Sequence, residues 1–318
     1  MKASIRGSTG ARIDLGSLPG GYGQRRGPGA EIKKISQVRR IIESLDKRVA
    51  LRHYPDDLLE SIGILIDGCL SKGATLEDII FYRARKMNVR LFTHLAEIQY
   101  PPKESAPKGR LNRNGDPILY AAFTQAAALV EIGTVAGEII AMAIIKERDG
   151  HKNEVQWFPV GIAFGPYATP ARNVAETLVL EYLNREITKG VEKGAEHKYH
   201  STIAIAHNFF HSPILRPREG IQMEAGLIYP SAKVGEPLDE GTYNVALPPA
   251  VYNAHYYIAE VRAYFISRPS STTPMDCHLI NVATVGPGDR LQWHHTTYDE
   301  MVKHCPALEG RPPIYCGS

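Results

Sequence analysis

The apolar residues of this chain change their period partway along, and that change limits the folds open to it. Over 31–80 they recur every three or four positions: Ile32, Ile35, Val38, Ile41, Ile42 and Leu45, then Leu58, Leu59, Ile62, Leu65, Ile66 and Leu70. That spacing puts an apolar stripe on each of two helices. Pro55, Asp56 and Asp57 open the second, where a missing N–H is tolerated and acids suit the helix dipole, and Gly73 closes it. Thr75-Leu76-Glu77-Asp78 reads as the cap of a short third helix through Ile80. Beyond this layer the apolar residues gather into short runs of strand length: 81–85, 118–122, 138–146, 155–164, 225–229, 242–246 and 256–266. Single helices over 124–131, 171–187 and 201–210 interrupt them. Helices first, then strands broken by isolated helices, predict a mixed α+β domain and not a regular doubly wound sheet. No G-x-G-x-x-G and no G-x-x-x-x-G-K-[ST] occurs, so the usual dinucleotide and P-loop readings lose support.

A chain of 318 residues fits one large domain or two small ones. Its 37 basic and 34 acidic residues leave a net charge of only +3, which argues against nucleic acid as the partner but allows a small anionic ligand. Residues 1–30 hold eight glycines and several arginines, the composition of a disordered arm. The start has no apolar core of a signal peptide, and the longest apolar stretches, such as 139–145, fall far short of the ~20 residues that span a bilayer. Cys69, Cys277, Cys305 and Cys316 form no C-x-x-C pair, so a reducing cytoplasm is the expectation and no membrane contact is foreseen. Histidines and cysteines cluster at Cys277-His278, His294-His295 and His304-Cys305, and His197, His200, His207 and His211 recur near helical spacing. None of these spacings matches a zinc finger, so packing and a polar helix face explain them and no metal is expected.

The densest chemistry lies in 109–131. Arg110 follows Gly109 in a loop, Tyr120 stands ten residues on in a strand, and Glu131 eleven beyond that at the end of a helix. An arginine grips a phosphate bidentately, and a tyrosine offers a flat face and one hydroxyl. A carboxylate binds a ribose hydroxyl and offsets positive charge at an anomeric carbon, as in glycoside cleavage. The trio fits a nucleotide whose glycosidic bond is broken. Spacing alone equally allows Arg110 to salt-bridge its loop, Tyr120 to be a core tyrosine and Glu131 to be solvated.

The order of motifs carries more. Gly109-Arg110-Leu111-Asn112, then Pro117, a strand ending in Tyr120, and Glu131 on the next helix resemble the RES domain family, named for its Arg, Glu and Ser. Two further stretches resemble the family's landmarks: Phe81-Tyr82-Arg83-Ala84-Arg85 upstream, and Tyr229-Pro230-Ser231 downstream, followed by Asn244. The resemblance covers 81–265 and implies an ADP-ribosyltransferase-like mixed sheet with flanking helices, here behind an N-terminal helical layer over 31–80 and before an extension over 266–318. It implies an enzyme that consumes NAD as substrate, by hydrolysis, phosphorolysis or ADP-ribosyl transfer to a protein, and often the toxin of a toxin–antitoxin pair with an antitoxin protein as partner. Carried over, the catalytic set is Arg110, Tyr120, Glu131 and Ser231. Arg83, or in its place Arg85, would join Arg110, Tyr120 and Ser231 in binding NAD. The extra length weakens the toxin inference more than the NAD inference. The sequence leaves open a homo-oligomer, and a second reading in which the fold is a non-catalytic module that engages a partner protein.

Overall fold

The two apolar stripes of the N-terminal layer fold as helices α1 (Ile35–Ala50) and α2 (Pro55–Ile66). Val38, Leu45, Leu58, Ile62 and Leu65 on those stripes are fully buried, each such side chain contributing about 1.5–3 kcal/mol relative to exposure. At the start of α2, Pro55 occupies the first turn and the Tyr54 N–H donates to Asp57 Oδ2 at 3.0 Å. The computed structural model describes residues 34–67, 76, 78–88, 90–151, 154–162, 168, 171, 173–192, 194–211, 224–233, 243–268, 275–311 and 314. The arm expected over 1–30, Gly73, and Thr75 and Glu77 of the expected third helix lie outside them. Where that helix was to end, Ile80 instead opens strand β1 (Ile80–Met87) and pairs with Lys146. The β-branched and aromatic run Ile79-Ile80-Phe81-Tyr82 suits a pleated, half-buried surface better than a helix end.

Eight further strands complete one sheet: β2 (Leu119–Ala122), β3 (Ile139–Glu147), β4 (Val155–Pro159), β5 (Glu224–Pro230), β6 (Tyr243–Leu247), β7 (Tyr256–Arg268), β8 (Asp276–Val285) and β9 (Leu291–Trp293). Their order is β4-β5-β6-β2-β1-β3-β7-β8-β9. Every neighbouring pair is antiparallel except β4 and β5, which run parallel. A parallel pair needs a long crossover, and the chain between these two supplies α4 (Val174–Thr188) and α5 (His200–His211). The fold is therefore the α+β arrangement the sequence predicts. Its remaining helices among the described residues are α3 (Gln125–Ile132), α6 (Pro249–His255) and α7 (Tyr298–His304), apart from short 3-10 turns.

The two faces of the sheet are filled differently. One carries a continuous core, including Phe81, Trp157, Tyr243, Ile258 and Ile280. The aromatic rings of Phe81, Trp157 and Tyr256 meet there at 5.2–6.2 Å. On the opposite face the core is split. One cluster joins Phe158 and Leu227 to α1, α2, α4 and α5. The other joins Ala84, Ile140 and Met142 to Ala127, Ala128 and Leu129 of α3. The seam between these clusters is where polar side chains come to the sheet.

Candidate active site

Helix α3 is fixed at both ends. The Thr124 hydroxyl accepts from the Ala127 N–H at 3.2 Å, and Gly133 leaves the helix at φ 61°, a left-handed conformation that glycine adopts without strain. Glu131, half-buried in the last turn, hangs over the seam. Its Oε1 accepts a short hydrogen bond from Ser231 Oγ and a second from Asn244 Nδ2 at 2.7 Å. Ser231 follows the end of β5, is 2% exposed, and also accepts from the Lys233 N–H at 3.1 Å. The Lys233 ammonium returns to the Glu131 carbonyl, and Lys86 Nζ reaches the Gly133 carbonyl at 2.9 Å. Two cations thus sit at the negative end of α3.

Register supplies the floor. Tyr82 lies opposite Ala122, Ala122 opposite Asn244, and Asn244 opposite Tyr229. Antiparallel partners share a face, so these four side chains form one row across β1, β2, β6 and β5. Ala122, the smallest, is buried against α3. Asn244 is 4% exposed, and its Oδ1 is buried without a hydrogen-bond partner. Such an orphaned acceptor is costly unless a ligand donates to it. Tyr229 is buried within the electrostatic reach of Tyr120, Glu131, Arg110 and Arg83. Burial, reinforced by Tyr120 and Glu131, pushes its hydroxyl well above the usual tyrosine range. Arg83, Arg110, Tyr120 and Glu131 thus lie within electrostatic reach of Tyr229, and Glu131 is bonded to Asn244; Tyr229 and Asn244 stand in the downstream motif but not among the expected site residues.

Within that neighbourhood their partners differ. β1 and β2 pair at the single register Tyr82–Ala122, and Arg83 fills the opening beside it. Its Nε donates to the Ile98 carbonyl and its Nη1 to the Tyr120 carbonyl, both at 2.6 Å. Burial, with like-charged Arg85 nearby, lowers the Arg83 pKa to about 10. No carboxylate forms an ion pair with Arg83 among the described residues. Arg85 is exposed and donates to the Glu97 carbonyl at 2.7 Å. Of the two competing arginines, Arg83 is the one at the strand opening.

Arg110 and Tyr120 do not touch Glu131. The Arg110 guanidinium donates to the Ile187 carbonyl and, at 3.0 Å, to the Lys189 carbonyl, closing the C-terminal end of α4, and lies 5.5 Å from the Tyr199 ring centre. The Tyr120 hydroxyl donates to Asn112 Oδ1 at 2.7 Å and accepts from the Leu111 N–H at 3.0 Å. Asn112 Nδ2 binds the carbonyls of Pro107 and Arg113 at 2.8 and 2.9 Å. A Cβ on Gly109 would stand 2.3 Å from Asn112 Oδ1 and 3.0 Å from the Tyr120 hydroxyl. The Gly-Arg-x-Asn turn and its distant tyrosine are thus one interlocked unit.

The later histidines pair with each other: His207 with His211 at 4.7 Å and His295 with His304 at 4.9 Å between ring centres. No helix among the described residues is long and apolar enough to cross a membrane. The family model of the RES domain matches residues 80–266. Comparisons with curated proteins and with solved structures find no match.

Proposed function

The chain belongs to the RES domain family, and we propose that it uses the Glu131 site to break the bond between nicotinamide and ribose in NAD. The observation that carries this reading is the way the Glu131 carboxylate is held, with Ser231 and Asn244 both donating to Oε1. Such a carboxylate is oriented before any ligand arrives. Loss of the cationic nicotinamide develops positive charge on the ribose, and a fixed carboxylate stabilises that charge more than it stabilises the ground state. The unpartnered Asn244 Oδ1 is suited to accept from a ribose hydroxyl. Arg83, half-buried and held by two carbonyl acceptors, is suited to the diphosphate. Arg110 adds positive field and, with Tyr120, shapes the turn beside the site. Ser231 positions Glu131.

No protein nucleophile is needed, so water, phosphate or a protein side chain takes the ribosyl group. Incubating the purified protein with NAD, with and without phosphate, and weighing the products by mass spectrometry distinguishes ADP-ribose, its 1-phosphate and a labelled protein. Undiminished NAD after a day under both conditions would overturn the reading. A toxin role with an antitoxin partner is the biological form this activity takes if expression arrests growth and a second protein relieves it.

A further inference from the structure

Two histidines and two glutamates meet at the other end of β5 from Ser231. Glu224 is the first residue of that strand, and Ser231 follows its last. His151 and Glu154 lie between β3 and β4 in the chain, and His255 ends α6 where β7 begins. An edge-to-face contact of Trp157 with Tyr256, 6.2 Å between centres, joins β4 to β7 beside these segments. We propose that His151, Glu154 and His255 bind a divalent cation of the zinc class, with Glu224 holding His255 from behind.

Geometry is the first argument. Among the described residues these three are the group of His, Cys, Asp or Glu whose ligand atoms all lie within 4.8 Å of one another. Glu154 Oε2 is 3.0 Å from His151 Nδ1 and 3.3 Å from His255 Nδ1. Donors around a tetrahedral zinc ion stand about 3.3 Å apart. The two imidazole rings, 5.5 Å between centres, are inclined at 76°. They approach from different directions, as two ligands of one ion do.

His255 is itself held as a ligand would be. It is 5% exposed, and its Nε2 lies 2.9 Å from Glu224 Oε2. A ring proton on Nε2, shared with that carboxylate, is the tautomer that offers the Nδ1 lone pair to a metal. That Nδ1 is buried and has no hydrogen-bond partner, although the Glu154 oxygen faces it. A cation between that nitrogen and the Glu154 oxygen would be ligated by both. A carboxylate behind a ligating histidine is the usual means of fixing its tautomer and orientation. Two imidazoles and one carboxylate favour zinc and its neighbours over calcium or magnesium, and three protein ligands leave a fourth position for water. The ion would clamp His151 and Glu154 to the α6–β7 junction.

The test uses the full chain, stripped with a chelator and titrated with zinc chloride, reading bound zinc by elemental mass spectrometry and thermal stability by the melting temperature. The expected result is one zinc per chain and a higher melting temperature. His151→Ala and Glu154→Gln, at a half-buried and an exposed position outside the core, should weaken binding about tenfold or more, and Glu224→Ala about 10–100-fold. Wild-type protein that binds no zinc would overturn the site. Zinc bound equally well by the His151→Ala and Glu154→Gln variants would place the metal elsewhere and overturn it too. Both outcomes are independent of NAD cleavage.

Discussion

Glu131 receives its two donors from the end of one strand and the start of another, so its orientation depends on residues 100 and 113 positions away. Sequence reasoning reaches Glu131 and Ser231 because each stands in a recognisable local pattern. It names Asn244 only beside a landmark of the resemblance and gives it no role, because a single amide inside Tyr-Asn-Val-Ala-Leu reads as an ordinary buried strand. The signal was present: a polar side chain at a strand position with apolar neighbours on both sides needs a partner. Arg110 and Tyr120 illustrate the converse. Their residue types suit a nucleotide, but their hydrogen bonds go to the α4 end and to Asn112, contacts that spacing does not reveal. The Asn244→Ala variant loses one charge-assisted hydrogen bond to Glu131. An effect of about 1.5–3 kcal/mol, or roughly 10–100-fold or more in kcat, is expected, with circular dichroism unchanged. Wild-type turnover in that variant would show that Asn244 does not orient the carboxylate.

The turn over 109–120 shows how much of an element is visible before its contacts are. Gly109, Asn112, Pro117 and Tyr120 are legible as a motif, and the reason for the glycine is the close approach of Asn112 Oδ1. Gly109→Ala forces that amide aside and loosens Tyr120 with it. Overpacking of this kind costs about 1–3 kcal/mol, read as a lower midpoint in urea. A midpoint equal to wild type would mean the turn has room that the distances deny. Most helices and strands of the chain are legible from period alone, because each pairs a strong apolar pattern with a capping or turn residue. The failures have physical causes. The expected third helix gives way to a strand at Ile80, where pairing with β3 decides against local capping. The elements β8, β9 and α7 escape notice because their burial is partial and mixed, with exposed residues at positions such as Asp276 and Thr284.

Across the whole molecule, the segments outside the family match are not appendages. Leu45 and Leu58 of the N-terminal helices share a core with Leu227 and Tyr229 of β5. Ile280, Leu291 and Met301 of the C-terminal segment share one with Phe81 and Trp157. On the face that carries Glu131 the core divides in two, and the polar row from Tyr82 to Tyr229 occupies the division. The sheet order that creates this seam joins strands far apart in the chain, which is why the split core was hidden while the α+β class was not. If the seam is the reaction site, one carboxylate governs the activity of the entire fold. The most direct measurement is nicotinamide release from NAD by wild-type protein and by Glu131→Gln at equal concentration, with melting temperatures compared. The account predicts release by wild type and a fall of about 10²–10³-fold in the variant at unchanged melting temperature. Release at the wild-type rate by the variant, or no release by either protein, would contradict it.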